Sequence, residues 1–212
     1  MKEIIKNKKL KQSSRSWILR QLKDPYTAKA KKEGYRSRAA FKLLEIQKKF
    51  KIIQKNSIVL DLGASPGSWS QIASKLVQKV IAIDLLEMDP IQNVEFIQGD
   101  FLDLENIKII KQMLDGNLFD VILSDMAPNT CGIKKIDHLR IMNLIEEIFA
   151  FCKDNLKIGG NVVVKTFQGG TESNLLQKLK SRFEKVIHFK PNSSRKESKE
   201  IYLIAMGFKL RE

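Results

Sequence analysis

The sequence predicts an α/β fold: a mostly parallel sheet with helices on both faces. Two observations carry this. From residue 58 onward, short apolar runs alternate with helical stretches. Polar residues also recur where those runs end, at Asp61, Asp84, Asp100, Asp125 and Lys165. Ligands of open α/β sheets bind at the carboxyl ends of the strands, so a series of polar residues there marks a candidate site. One Asp alone at such a position is often just a helix cap. Several in register are harder to explain that way.

The elements follow in chain order. Residues 1–12 are lysine-rich and read as an arm. Ser13–Lys23 reads as a short helix, with Trp17, Ile18 and Leu22 among basic residues. Asp24-Pro25 starts a second basic helix that ends near Gly34, and Ser37 caps a third, Arg38–Phe50, with Ala40, Phe41, Leu44 and Phe50 on an apolar face. Residues 1–34 are thus expected to form a basic appendage and 35–212 a single domain. Ile58–Leu62 is a buried strand closed by Gly63, followed by a helix at Ser68–Leu76 and a strand at Val80–Asp84. A strand at Val94–Ile97, a helix at Leu104–Leu114 and a strand at Phe119–Ser124 come next. The long helix Lys135–Leu156 leads through Gly159-Gly160 to a strand at Asn161–Thr166. A helix at 172–182 and strands at 184–189 and 200–206 complete the chain.

Composition narrows the function. The 212 residues carry 38 Lys+Arg against 24 Asp+Glu, a formal net charge of +14. A hydrophobic content of 43% with 29% charged residues fits a globular domain, large enough to bury a core without disulfides or metals. No apolar run approaches the roughly 20 residues of a membrane span, so no membrane partner is expected. The start of the chain lacks the apolar core of a signal peptide, which favours a cytoplasmic setting and leaves organellar import open. Cys131 and Cys152 form neither a disulfide framework nor a zinc pattern, and His138 and His188 lack metal-ligand spacing, so no metal is expected. The charge is unevenly placed. Residues 1–57 hold 18 Lys+Arg and 4 Asp+Glu, 58–177 hold 10 and 16, and 178–212 hold 10 and 4. Basic blocks at both ends of an acidic middle point to a polyanionic partner. A merely solubilising surface is the alternative.

The loop Asp61-Leu-Gly63-Ala-Ser-Pro-Gly67-Ser-Trp69 joins a strand to a helix. Gly63 and Gly67 let the backbone turn tightly and approach a ligand. Asp84 ends the next strand about 20 residues on, the spacing at which an acid accepts from ribose hydroxyls. The loop is neither G-x-G-x-x-G nor a phosphate-binding P-loop. A nucleoside ligand without phosphates, such as S-adenosylmethionine, fits better, with Asp84 on the ribose and Asp100 on the adenine amino group. Lys165 ends an apolar strand, where a lysine is costly unless paired, and Asp125 ends the neighbouring strand. A lysine balanced between burial and a carboxylate can serve as a general base; a structural ion pair is the competing reading.

These residues occur within a longer series: Tyr35-Arg-Ser-Arg-Ala-Ala-Phe-Lys42-Leu, the 61–69 loop, Asp84-Leu-Leu-Glu-Met-Asp-Pro90, Gln98-Gly-Asp-Phe101, Ser124-Asp-Met-Ala-Pro128, Val163-Val-Lys165 and Lys199-Glu-Ile-Tyr-Leu203. Through these seven blocks the chain resembles the bacterial FtsJ/RrmJ (RlmE) family of large-subunit (23S) ribosomal RNA 2′-O-methyltransferases. The resemblance implies a class I, Rossmann-like methyltransferase sheet of seven strands, the last antiparallel. It implies a catalytic tetrad at Lys42, Asp125, Lys165 and Glu200, and cofactor contacts at Gly67, Trp69, Asp84, Asp100 and Asp125, with Gly63 in the same loop. It implies S-adenosyl-L-methionine as cofactor and a uridine in the A loop of large-subunit rRNA as acceptor; action on the 50S subunit and a monomeric protein are further expectations. Ser65 and Ser68 stand where relatives often carry Ala and Gly. Arg15, Arg20, Arg36 and Arg38 on one side, and Arg195 and Lys196 with Lys190 and Lys199 on the other, are expected to bind RNA phosphates. Tyr35 could stack on a base, whereas Trp17 is better read as core. The alternatives are a methyltransferase for tRNA or mRNA caps, which share the tetrad, and a non-catalytic rRNA-binding assembly factor.

Overall fold

The structure, a computed structural model, describes residues 24–128, 132–169 and 173–209. The elements in order are α1 (Pro25–Lys32), α2 (Ala39–Phe50), β1 (Ile58–Leu62), α3 (Ser68–Ala73), β2 (Lys79–Asp84), β3 (Val94–Gln98) and α4 (Leu104–Leu114). They continue as β4 (Phe119–Ser124), α5 (Lys134–Asn155), β5 (Leu156–Phe167), α6 (Ser173–Arg182), β6 (Phe183–Phe189) and β7 (Glu200–Phe208). The strands form one seven-stranded sheet in the order β3-β2-β1-β4-β5-β7-β6, in which β7 runs antiparallel to both neighbours. Chain order reverses direction between β1 and β4, and a crevice opens at such a switch point.

Period-two alternation sends side chains to opposite faces of the sheet. Leu60, Leu62, Ile122, Val162 and Val164 pack against α4, α5 and α6. Val59, Val121, Leu123, Val163, Tyr202 and Ile204 pack against α2 and α3 through Leu43, Ile46, Trp69 and Ile72. The same parity places Asp61, Asp125, Lys165 and Glu200 on the α2/α3 side. Asp24 caps α1 by accepting from the Tyr26 amide at 3.0 Å, and α1 docks onto α2 with the Tyr26 and Phe41 rings 5.4 Å apart. Ser37 Oγ accepts from the Ala39 amide at 3.2 Å at the start of α2.

Three boundaries differ most from expectation. The helix expected at Ser68–Leu76 ends at Ala73 and continues as turns, with the Leu76 and Val77 amides both donating to the Ala73 carbonyl. The strand expected at Asn161–Thr166 starts five residues earlier, because Leu156 pairs with Phe119 before a register shift leads into Val121↔Asn161. The final strand extends to Phe208 through its pairing with Phe183. The helix expected at Ser13–Lys23 lies outside the described residues. Among the described residues no helix is long and apolar enough to cross a membrane.

Candidate active site

A cavity of about 870 Å³ opens at the carboxyl edge of the sheet. Gly63, Asp84, Asp100, Asp125 and Lys165 line it, together with Phe101, Met126 and Pro128. A further wall comes from α5: Leu139, Arg140, Asn143 and Leu144. That helical face was not singled out in the sequence, although its i, i+1, i+4, i+5 spacing is the available signal.

Each cofactor candidate has its own backbone setting. Gly63 has φ +71°, and a Cβ there would lie 2.2 Å from Met126 Cγ, so only glycine lets the β1 loop and the segment after β4 close on each other. Asp84 Oδ2 accepts from the Ser65 amide and Oδ1 from the Leu86 amide, both at 2.8 Å, which fixes the carboxylate beside the loop. Asp100 is exposed, and its Oδ1 accepts from the Leu102 amide at 2.9 Å. Two candidates stand elsewhere. Trp69 is 2% exposed, donates its indole N–H to the Ala39 carbonyl at 2.9 Å, and lies 5.5 Å from the Tyr202 ring, so its side chain is core. Gly67 is not part of the cavity wall; the space a side chain would need there is filled by Arg36, Met88 and Ile91.

The four tetrad candidates meet at one point. Lys165 Nζ donates to Asp125 Oδ1 at 3.0 Å and also to the Asp125 carbonyl. Lys42 reaches in from α2, 3.8 Å from Asp125 Oδ2 and in a close ion pair with Glu200 Oε1. Strand pairing supplies the alignment: Lys165 lies directly opposite Tyr202, and Glu200 is two residues back on the same face. The Tyr202 hydroxyl was missed in the sequence, yet it sits 2.7 Å from Asp125 Oδ1 and 3.1 Å from Glu200 Oε1. Its i, i+2 relation to Glu200 in a strand was the signal that could have found it. Burial, then the charges of Asp125 and Glu200, push the Tyr202 phenol well above its usual range, so it stays a proton donor. Burial pushes the Asp125 carboxyl up, but the charges of Lys165 and Lys42 and the bonds from Tyr202 and Lys165 outweigh it and hold the group below its ordinary value.

Asp61 is different from the other acids in the series. It is 1% exposed under α3 and accepts from Ser70 Oγ at 2.6 Å. Burial raises its carboxyl to about 7 despite that bond, with further pushes from Asp125 and Asp84. Cys152 is buried and free, and burial pushes its thiol up. Cys131 lies outside the described residues.

The basic candidates divide. Arg15 and Arg20 lie outside the described residues. Lys196 is exposed. Arg38 and Arg195, expected to face phosphates, instead turn inward onto Asp24: Arg38 forms a close ion pair with Asp24 Oδ2 and bonds the Ser193 carbonyl, and Arg195 Nε lies 3.0 Å from the same carboxylate oxygen. A carboxylate only 8% exposed needs this compensation. Arg36 spends its guanidinium on the carbonyls of Pro66, Asp89 and Pro90. Tyr35 packs edge-on against Phe41 at 5.5 Å.

Comparison with known proteins identifies the family. The family model described as FtsJ-like methyltransferase matches residues 35–208. A protein of Rickettsia akari named ribosomal RNA large subunit methyltransferase E is 51% identical over 211 residues, covering 96% of this chain and 92% of that protein. A Rickettsia felis protein of the same name is equally similar over the same shares. A crystal structure from Plasmodium falciparum, assigned as a ribosomal RNA methyltransferase, superposes with a TM-score of 0.75 at 38% identity, covering 84% of this chain and all of that one. With the matched region running from the segment before α2 to the end of β7, and so including all four tetrad candidates, the chain belongs to the FtsJ-like methyltransferase family.

Proposed function

We propose that this enzyme transfers the methyl group of S-adenosyl-L-methionine to the ribose 2′-hydroxyl of a uridine in large-subunit rRNA, in the A loop, during assembly of the 50S subunit in the cytoplasm. The observation that carries the reading is the Lys165–Asp125 pair on the cavity wall, backed by Lys42, Glu200 and Tyr202. The names of the relatives support the choice of rRNA.

The residues present fit the cofactor. The cavity falls within the ~300–1,000 Å³ usual for small-ligand sites. Asp84 is held by two backbone amides with lone pairs left for a ribose diol, and Gly63 lets the loop after β1 close against Met126 on the cavity wall. When bound, S-adenosylmethionine supplies an electrophilic sulfonium methyl, so the protein's task is orientation. Asp125 fixes Lys165 Nζ, which deprotonates or strongly polarises the 2′-hydroxyl. Lys42 adds positive charge beside it and anchors Glu200, which steers the ribose. The Tyr202 hydroxyl, within hydrogen-bond distance of both, links the Asp125 and Glu200 carboxylates. Alignment of the reacting groups supplies much of the acceleration, up to about 7–11 kcal/mol in the most favourable intramolecular cases. Exposed Lys196 and Lys199, close in the chain to Glu200, supply phosphate contacts.

The test is transfer of radiolabelled methyl to unmodified 50S subunits, free rRNA and tRNA, with the product mapped by resistance to alkaline cleavage. Label at a ribose of large-subunit rRNA is expected. Label confined to tRNA, or cofactor binding without transfer to any RNA, would overturn the reading.

A further inference from the structure

Arg36 lies in a basic segment, and its charge alone suggests a phosphate ligand. Its contacts say otherwise. Nη1 donates to the Pro66 carbonyl at 2.9 Å and to the Asp89 carbonyl at 2.8 Å, while Nη2 donates to the Pro90 carbonyl at 2.9 Å. One planar group thereby bridges two separate backbone segments: the loop between β1 and α3, and the strand-free stretch after β2. The surrounding residues hold Arg36 in place. Its amide donates to Gln71 Oε1 at 3.2 Å, Gln71 Nε2 returns a bond to the Gly34 carbonyl at 2.8 Å, and Ser37 Oγ sits 2.7 Å from Ser68 Oγ. Gly67 makes room for the bridge. A Cβ there would lie 2.7 Å from Arg36 Nη1, 2.7 Å from Met88 Sδ and 2.8 Å from Ile91 Cδ1.

The two bridged segments are the ones that grip Asp84. Its carboxylate is held by the Ser65 amide, next to Pro66, and by the Leu86 amide, three residues before Asp89. A further link, Ser65 Oγ to the Glu87 carbonyl at 3.1 Å, joins the same segments. Leu85, Leu86, Glu87 and Asp89 are exposed, so side-chain burial does little to hold this stretch.

We propose that Arg36 is a positioning residue for the cofactor: by tying the 64–67 loop to the 88–91 stretch it fixes the Asp84 carboxylate in the orientation that receives the ribose. A lysine cannot replace it, because a single ammonium cannot span three carbonyls in a fixed fork. This rests on the reading of Asp84 as the ribose ligand, and the experiment separates the two.

Affinity for S-adenosylmethionine is measured by calorimetry without RNA for the wild-type chain and for Arg36→Lys, Arg36→Ala and Asp84→Ala, with RNA affinity measured in parallel. Arg36→Lys and Arg36→Ala are both expected to weaken cofactor binding roughly 10- to 100-fold, the range for losing a charge-assisted hydrogen bond that holds a binding group. Arg36→Lys should leave RNA affinity unchanged. Amide exchange gives a local readout: the Ser65 and Leu86 amides should exchange faster in Arg36→Lys while amides of β1 keep their protection. If Asp84→Ala weakens binding but Arg36→Lys does not, the Arg36 proposal is overturned. Should Asp84→Ala itself bind normally, the ribose assignment fails instead. Lower RNA affinity in Arg36→Ala, a salt slope reduced by about one and intact cofactor binding would make Arg36 a phosphate ligand.

Discussion

Replacing Asp61 by Asn should stabilise the protein, and should do so more as pH rises. Asp61 is 1% exposed, sits under α3, and accepts from Ser70 Oγ at 2.6 Å. Burial raises its carboxyl from 3.8 to about 7, and Asp125 and Asp84 add repulsion. In the unfolded chain the group ionises near 4; in the folded chain it holds its proton until about 7. The folded state therefore binds more protons across that interval, and its stability falls as pH rises through it. The slope is close to 1.4 kcal/mol per pH unit inside the window and flattens above it, for a total of about 4 kcal/mol. Asparagine keeps the shape and an oxygen that accepts from Ser70, yet never ionises. The advantage of Asp61→Asn over wild type should grow by roughly 2–3 kcal/mol between pH 5 and 7.5, which is about 5–10 °C in Tm for a domain of this size. Thermal unfolding of both proteins across that range gives the answer, since other titrating groups are shared and cancel. Parallel Tm curves for the two proteins would refute the argument, because they would mean that Asp61 is already ionised in the fold at low pH.

Other outcomes follow from the same geometry. Lys165→Ala should abolish methyl transfer while cofactor affinity by calorimetry survives; near-normal turnover would remove Lys165 as the base. Asp84→Ala should weaken cofactor binding, and unchanged affinity would refute the ribose assignment. Tyr202→Phe removes a hydroxyl and opens no large cavity, yet it costs a bond to a carboxylate worth about 1.5–3 kcal/mol. Single-turnover rates should fall roughly tenfold or more, and a rate within threefold of wild type would count against it. RNA affinity should drop steeply with salt, and a flat response from 50 to 200 mM would argue against a phosphate surface.

Much of the fold was legible because its signals are local. Apolar runs such as Ile58–Leu62 and Phe119–Ser124 give buried parallel strands, and the polar residues at their ends come to one sheet edge for any α/β connectivity. Family resemblance, rather than periodicity, brought Lys42 and Glu200 into the candidate tetrad. They are 158 residues apart in the chain, and no local pattern links them. Trp69, which entered the candidates through the same resemblance, shows what only the fold decides: a six-residue helix turns its indole onto the Ala39 carbonyl and the Tyr202 ring. Charge was the least legible quantity, since composition counts an arginine without knowing what it faces.

The sequence by itself determined the alternation of strand and helix, the glycines where backbones must close, and the list of polar residues able to do chemistry. These depend on hydrophobic period and backbone sterics, which act over a few residues. Tertiary structure decided which of those residues meet. Antiparallel insertion of β7 sets Tyr202 opposite Lys165, and α2 brings Lys42 across to Glu200. It also set Arg36 against three backbone carbonyls and Arg38 against the Asp24 carboxylate. A guanidinium takes whichever acceptors packing leaves within reach, and only the folded chain fixes which carbonyls and carboxylates those are.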